Sequence, residues 1–246
     1  DPAKPMINRA INCDRYPAAS VIKPVILIAG IESGVVAADE VISCPPQGAP
    51  QDWPDCLIHR RNPGVGHDSQ WVNTARNAIK GSCNIYFSRL ADRIDPLVLQ
   101  QWLFKFGYGC APLHRMENSK LGIQNSQFSI LNSRSFDQFS GTISSTSPKG
   151  AVVSIADVPA LRPRERRMLG IGQGNLRVTP LQVANAMAAL AREGVYMPPR
   201  IFAGPSSLIP RDSSGAGQDL GIRIETLAVV YEAMSAVVNA AGGTAH

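Results

Sequence analysis

The segment Tyr16-Pro17-Ala18-Ala19-Ser20-Val21-Ile22-Lys23-Pro24 sets a hydroxyl and an amine three residues apart, directly after a Pro-containing turn. Residues i and i+3 share one face of a helix, so this spacing predicts that Lys23 reaches the Ser20 hydroxyl. A partly desolvated, neutral lysine there can take the serine proton and leave an activated nucleophile. Taken alone, the pair also reads as a helix cap followed by a surface lysine. The surrounding elements must decide between the two.

The helix carrying the pair is expected from about residue 20 to Ser33, with Gly34 as its C-terminal cap. The run Val25-Ile26-Leu27-Ile28 would also suit a buried strand, but Pro24 fits a first helical turn and not a central strand. A helix apolar on nearly every side belongs in the core. From Cys44 to Gly66 the density of Pro and Gly predicts loop without long regular elements. Helices are expected over 71–79, 85–91 and 96–106, closed by Gly81 and by Gly107-Tyr108-Gly109. Residues 115–160 read as loops with short strands, including Ala151-Val152-Val153-Ser154-Ile155. Thr179, Pro180 and Gln182 form a capping box with proline at N1, predicting a helix through Ala191 that ends near Gly194. A flexible loop over 203–221 and a last helix over 224–239 complete the chain, with Leu227, Tyr231, Met234 and Val238 on its apolar face.

The chain has 246 residues, 44% of them hydrophobic and 17% charged, which suits one large globular domain with a substantial core. No apolar run approaches the ~18 residues that a membrane-spanning helix needs. There is no signal-peptide pattern at Asp1, and the chain is expected to start within a longer protein. The net charge of +5 is mild, and its clearest basic cluster, Arg162 to Arg167, reads as a solvated loop. No nucleic-acid-binding signature accompanies that cluster, so no nucleic-acid partner is expected. The five cysteines include no C-x-x-C pair, so neither a metal nor any other cofactor is expected. Cys44 and Cys56, flanking the Pro-rich loop, are a candidate disulfide in an oxidising compartment. His59, His67 and His114 fall in loops, and with a lysine already placed none is needed as a general base. Gly170, Gly172 and Gly174 lack the preceding strand and the spacing of a dinucleotide fingerprint.

Three motifs in order carry a resemblance. S-x-x-K, with S-x-N and K-T-G companions, is the established signature of penicillin-binding proteins and their relatives. The Ser20 segment with Gly34-Val35 resembles the active-site serine segment of the penicillin-binding protein transpeptidases, particularly the class B enzymes of elongation and division. Ser82-Cys83-Asn84-Ile85-Tyr86-Phe87 is similar to the family's S-x-N motif and the helix after it. Ile171-Gly172-Gln173-Gly174 with Val178 to Ala184 resembles the segment that precedes a long family helix.

The resemblance covers the chain from about Pro5 to its last residue. It implies an α/β (α+β) fold, a helical subdomain plus an antiparallel sheet, as one partial transpeptidase domain over 1–246. The implied reaction is peptidoglycan D,D-transpeptidation: Ser20 attacks the carbonyl between two D-alanines of a stem peptide, and an acceptor amine resolves the acyl-enzyme. Lys23 would be the base for Ser20, Ser82 would relay a proton to the leaving amine, and Asn84 would hydrogen-bond the substrate amide. The implied partners are peptidoglycan stem peptides, β-lactam antibiotics, which would acylate Ser20, and membrane proteins of elongation or division. The implied location is the periplasmic or extracytoplasmic face of the inner membrane, with an anchor outside this chain.

One departure bears on activity. K-T-G is absent, and Gly243-Thr244-Ala245 imitates only its tail. The chain is expected to stop short of that motif as a fragment, and to be acylated inefficiently by itself. Two further readings stay open: a catalytically inactive scaffold or wall-binding module, and a β-lactamase or penicillin sensor using the same serine.

Overall fold

The structure, a computed structural model, describes residues 10, 16–109, 159–197, 199 and 217–246. The expected strand over 151–155, positions 203–216 of the expected loop, His114, Cys13 and Cys110 lie outside the described residues.

The fold is built around one helix. A 3-10 turn, Ala19–Ile22, leads into α1 (Lys23–Glu32). Val25, Ile26, Leu27, Ile28 and Ala29 are all fully buried, so α1 is enclosed on every side. Burying each of its larger aliphatic side chains contributes about 1.5–3 kcal/mol. Glycine at position 30 lets the helix bearing Leu90 approach, since a Cβ there would lie 2.8 Å from Leu90 Cδ1. Around α1 pack α3 (Ala75–Lys80), α4 (Asn84–Arg93), α5 (Pro96–Lys105) and the last helix, α8 (Ile224–Asn239). A five-residue helix, α2 (Leu57–Arg61), interrupts the loop between Cys44 and Gly66.

The helix of the capping box is α7 (Pro180–Ala191). Its Gln182 N–H donates to Thr179 Oγ1 (3.2 Å) and its Thr179 N–H donates to Gln182 Oε1 (2.8 Å), as the sequence predicts. Among the described residues the only sheet pairs β1 (Val195–Tyr196) with β2 (Gln218–Asp219), antiparallel, with Val195 opposite Asp219. Thus residues 218–219, assigned above to a flexible loop, form a strand that pairs beyond the end of α7.

Two other expectations are corrected. The helix expected from Trp71 begins only at Ala75, because Asn73 is drawn into extended pairing with Ile42: Ile42 N–H donates to Asn73 O and Asn73 Nδ2 donates to Ile42 O. The basic cluster is not a solvated loop but α6 (Pro163–Leu169). Glu165 accepts the Arg162 N–H at its start, Arg167 lies 3.0 Å from Asp92, and the Arg167 guanidinium stacks over Trp53 at 3.9 Å. Those contacts turn a run of charge into a packed face. Among the described residues, no helix is long and apolar enough to cross a membrane.

Candidate active site

The turn bearing Ser20 is held by backbone. Val178 N–H donates to Tyr16 O (2.9 Å) and Ala19 N–H donates to Gly172 O (2.8 Å), so the Gly172 and Val178 segment cradles the residues just before Ser20. Position 172 must be glycine on two grounds: its φ is +70°, and a Cβ would stand 2.0 Å from Ala19 O. Ala19 itself has φ +52° and Ser82 has φ +51°, both in the left-handed region that L side chains rarely adopt. Each such residue costs of order 1–3 kcal/mol, and here the two flank the same pair of hydroxyls.

Lys23 is buried, with 2% of its surface exposed. Its Nζ donates to three acceptors: Ser82 O (2.7 Å), Ser82 Oγ (2.9 Å) and Asn84 Oδ1 (2.8 Å). Ser82 Oγ in turn donates to Ser20 Oγ at 3.0 Å. Sequence spacing predicts direct contact between Lys23 and Ser20; the structure instead inserts the Ser82 hydroxyl between them. The 3-10 turn that holds Ser20 keeps i and i+3 on one face, but the Lys23 amine is claimed by Ser82 and Asn84 from the next segment. Ser20, Lys23, Ser82 and Asn84 are nevertheless brought together, with Ser20 exposed to solvent. Burial pushes the Lys23 amine down to about 8, against an opposing pull from the nearby Cys83 and Cys56 sulfurs. A neutral fraction of the amine is therefore accessible near neutral pH.

Asn84 opens α4 and is held from behind. Its N–H donates to Cys56 Sγ (3.0 Å) and its Nδ2 donates to the Asp55 carbonyl (3.0 Å). Behind the S-x-N segment lies a cluster that sequence spacing does not reveal. Cys44, Cys56, Cys83 and His67 are all buried, and their ligand atoms lie within 4.8 Å of one another. The three cysteines are free thiols, with Sγ–Sγ distances of 3.6 Å (Cys44–Cys56) and 3.5 Å (Cys56–Cys83), so Cys44 and Cys56 are neighbours but not a disulfide. His67 Nε2 faces Gly81 O at 3.1 Å and its Nδ1 faces Cys44 Sγ at 3.2 Å. With its Nε2 proton given to Gly81 O, the imidazole turns a lone pair inward, which is how metal-binding histidines are oriented.

Cys56 is held toward the thiolate by S–H donation from Cys44 and Cys83, while the Asn84 and Ile85 amides also point at its sulfur. Burial pushes the Cys83 thiol up, and donation to Cys56 pushes Cys44 up to about 12. Three sulfurs and one imidazole form the donor set of a structural zinc site, and tetrahedral Zn–S bonds of ~2.3 Å would place sulfurs ~3.8 Å apart. The residues fit that ion. The absence of C-x-x-C hid the cluster, because its four members come from four separate segments of the chain.

A family model described as the penicillin binding protein transpeptidase domain matches residues 1–246. The chain belongs to that family. The peptidoglycan D,D-transpeptidase MrdA of Acinetobacter baumannii is 27% identical over 207 residues, covering 81% of this chain and 25% of that protein. The MrdA of Salmonella typhimurium is 26% identical, covering 98% of this chain and 35% of its own length. The chain thus spans a quarter to about a third of these curated relatives. Among solved structures, Pseudomonas aeruginosa PBP2 in complex with WCK 5153 superposes with a TM-score of 0.65 at 24% identity, covering 99% of this chain and 49% of that one. The complex of PBP2 and MreC from Helicobacter pylori gives 0.65 at 20% identity, covering 100% and 39%. At these identities the structural likeness establishes the fold. It agrees with the penicillin-binding transpeptidase fold implied by the three motifs, of which the described residues form a helix-rich part with a small antiparallel sheet.

Proposed function

We propose that the chain is the acylating part of a peptidoglycan D,D-transpeptidase, with Ser20 as nucleophile. The observation that carries this reading is the hydrogen-bonded line from Lys23 Nζ through Ser82 Oγ to Ser20 Oγ, at 2.9 and 3.0 Å. When Lys23 is neutral, both hydroxyls turn, so that Ser20 Oγ donates to Ser82 Oγ and Ser82 Oγ donates to the amine lone pair; the Ser20 proton then passes to Ser82 Oγ as the Ser82 proton passes to Lys23. Ser20 Oγ then bonds to the carbonyl carbon between two D-alanines. The proton returns along the same line to the departing amine as the C–N bond breaks, and D-alanine leaves. An acceptor amine from a second stem peptide takes the acyl group and regenerates Ser20.

Asn84 serves first as an acceptor for Lys23 and, when substrate enters, as a partner for its amide. A β-lactam would form the same ester by ring opening. The curated relatives are named D,D-transpeptidases, which supports the substrate class, and one structural neighbour was solved with MreC, which supports a partner from the elongation apparatus. Such a protein works on the extracytoplasmic face of the inner membrane.

The sequence has no K-T-G, so the reading includes slow acylation by this chain alone. The competing reading is a penicillin-binding-like scaffold that binds wall peptide without turnover. Prolonged exposure to a fluorescent penicillin, followed by mass spectrometry, separates them. The enzyme reading expects a slowly accumulating adduct on the Ser20 peptide that S20A lacks. No adduct at any time leaves the scaffold.

A further inference from the structure

Asn84 touches Lys23 only through Oδ1, and a primary amide presents an acceptor on one side and a donor on the other. If the amide turned over, Nδ2 would face the Lys23 amine donor to donor, and the line to Ser20 would lose its anchor. The group that receives Nδ2 therefore helps to fix the base. That group is the carbonyl of Asp55, at 3.0 Å.

The carbonyl belongs to the Asp55–Cys56 peptide, and the N–H of that same peptide is held by the Asp55 side chain. Asp55 Oδ1 accepts from Cys56 N–H (2.8 Å) and from Ala49 N–H across the loop (3.1 Å). Asp55 Oδ2 faces His59 Nε2 at 3.9 Å. The turn at Gly48 (φ +79°) closes over this carboxylate so tightly that a Cβ there would lie 3.1 Å from Oδ1 and 2.7 Å from the His59 ring. An amide plane held through its N–H cannot swing its C=O. A loop carboxylate thereby sets the direction of a carbonyl, which sets the amide of Asn84, which sets Lys23.

We propose that Asp55 is a positioning residue of the acylation centre, acting through the Asp55–Cys56 peptide on Asn84 and thence on Lys23. The inference rests on Ser20 as nucleophile for its kinetic consequence, but its geometric half stands without it. The role requires a side-chain oxygen one methylene from Cα and does not require the charge. Asn therefore substitutes for Asp55, whereas Glu, with the same charge on a longer stem, does not.

The test uses the 246-residue chain with D55N, D55E and D55A, each checked for folding by circular dichroism. The Asn84 side-chain amide, assigned by its loss in N84S, is followed by ¹H–¹⁵N NMR. In wild type and D55N its two protons exchange slowly with solvent and resonate apart. In D55E and D55A exchange quickens by at least about tenfold and the two shifts converge. With a fluorescent penicillin, the limiting acylation rate falls about tenfold in D55E and D55A, while the concentration for half-maximal rate moves less than about twofold. D55N stays within about twofold of wild type on both measures. Should D55A not fold, D55E decides.

The proposal is overturned by an unchanged Asn84 amide in D55E, or by D55N behaving as D55E does. A wild-type chain that never labels on Ser20 sinks the transpeptidase reading instead, and the Asn84 signal then judges Asp55 alone.

Discussion

The two sides of the short segment Ser82-Cys83-Asn84 differ in almost every physical respect. On one side Ser82 and Asn84 meet Lys23 and Ser20 in a polar line that ends in solvent, with left-handed backbone at Ala19 and Ser82. On the other side Cys83 points into a buried knot of sulfur with Cys44, Cys56 and His67. The first side holds strained backbone and a destabilised charge, which suits chemistry. The second brings together four separate segments of the chain. On the proposed reading, alternate residues of one tripeptide would serve the reaction and its foundation, and disturbing the foundation should register at the reaction.

The largest effect tests the polar side. S20A is expected to abolish β-lactam labelling. K23A, which removes the proposed proton acceptor and leaves Asn84 Oδ1 without its donor, should slow labelling by about 10²–10⁴-fold. Retention of rapid labelling in K23A, read by intact-mass spectrometry, would break the assignment of Lys23.

Next comes the cradle between the two regions. G172A must either push Ala19 away or abandon its own positive φ, so it should destabilise the fold by about 2–4 kcal/mol and slow labelling as well. Urea denaturation measures the first effect, and an unchanged midpoint would mean that the cradle yields easily.

The sulfur side is probed by metal. Zinc at one hundred times its Kd adds about 2.7 kcal/mol, which for a domain of this size is roughly 5–10 °C in Tm. A chelator should reverse the shift, and H67A or C83S should remove it. No zinc by elemental analysis and no change in Tm would leave the cluster as three packed thiols.

A smaller effect follows from Lys23. Burial lowers its pKa from 10.5 to about 8, so the amine that accepts a proton becomes the minor form below that value. Labelling should fall about tenfold per pH unit below about 8 and level off above it. Stability moves in the same direction. The unfolded chain holds the proton more tightly between pH 8 and 10.5, so the folded state gains as pH rises through that window, apart from other titrating groups. A labelling rate flat from pH 6 to 9 would break the link. The smallest effect is a control: Arg76 and Glu232 pair at 2.7 Å but are well exposed, so R76A should change stability by less than about 1 kcal/mol and leave labelling unchanged.

How much of this was legible in the sequence varies with how local the determinants are. The capping box at Thr179 and Gln182 involves neighbours three residues apart, and α7 begins where those residues place it. The extents of α5 and α8 also match expectation, but the face of α8 does not: Tyr231 and Val238, assigned to its apolar side, are exposed, and Val230, Ala233 and Ala236 are buried beside Leu227 instead. Trp71 misled because Asn73 is claimed by Ile42, 31 residues away, and no propensity records such a claim. Arg162 to Arg167 misled because Asp92 and Trp53 are remote in sequence and only the fold supplies them as partners.

The sequence by itself determined the candidate nucleophile, the lysine and the S-x-N pair, since motifs in a fixed order need no coordinates to be recognised. It also determined the buried character of α1, because a helix apolar on every side must be enclosed. Only the tertiary structure decided that Lys23 reaches Ser20 through Ser82 and that three cysteines and a histidine converge behind them. The same holds for the Asp55 carbonyl that faces Asn84. Each of these is a contact between segments whose separation along the chain carries no period or spacing, so it exists only once packing has chosen which surfaces meet.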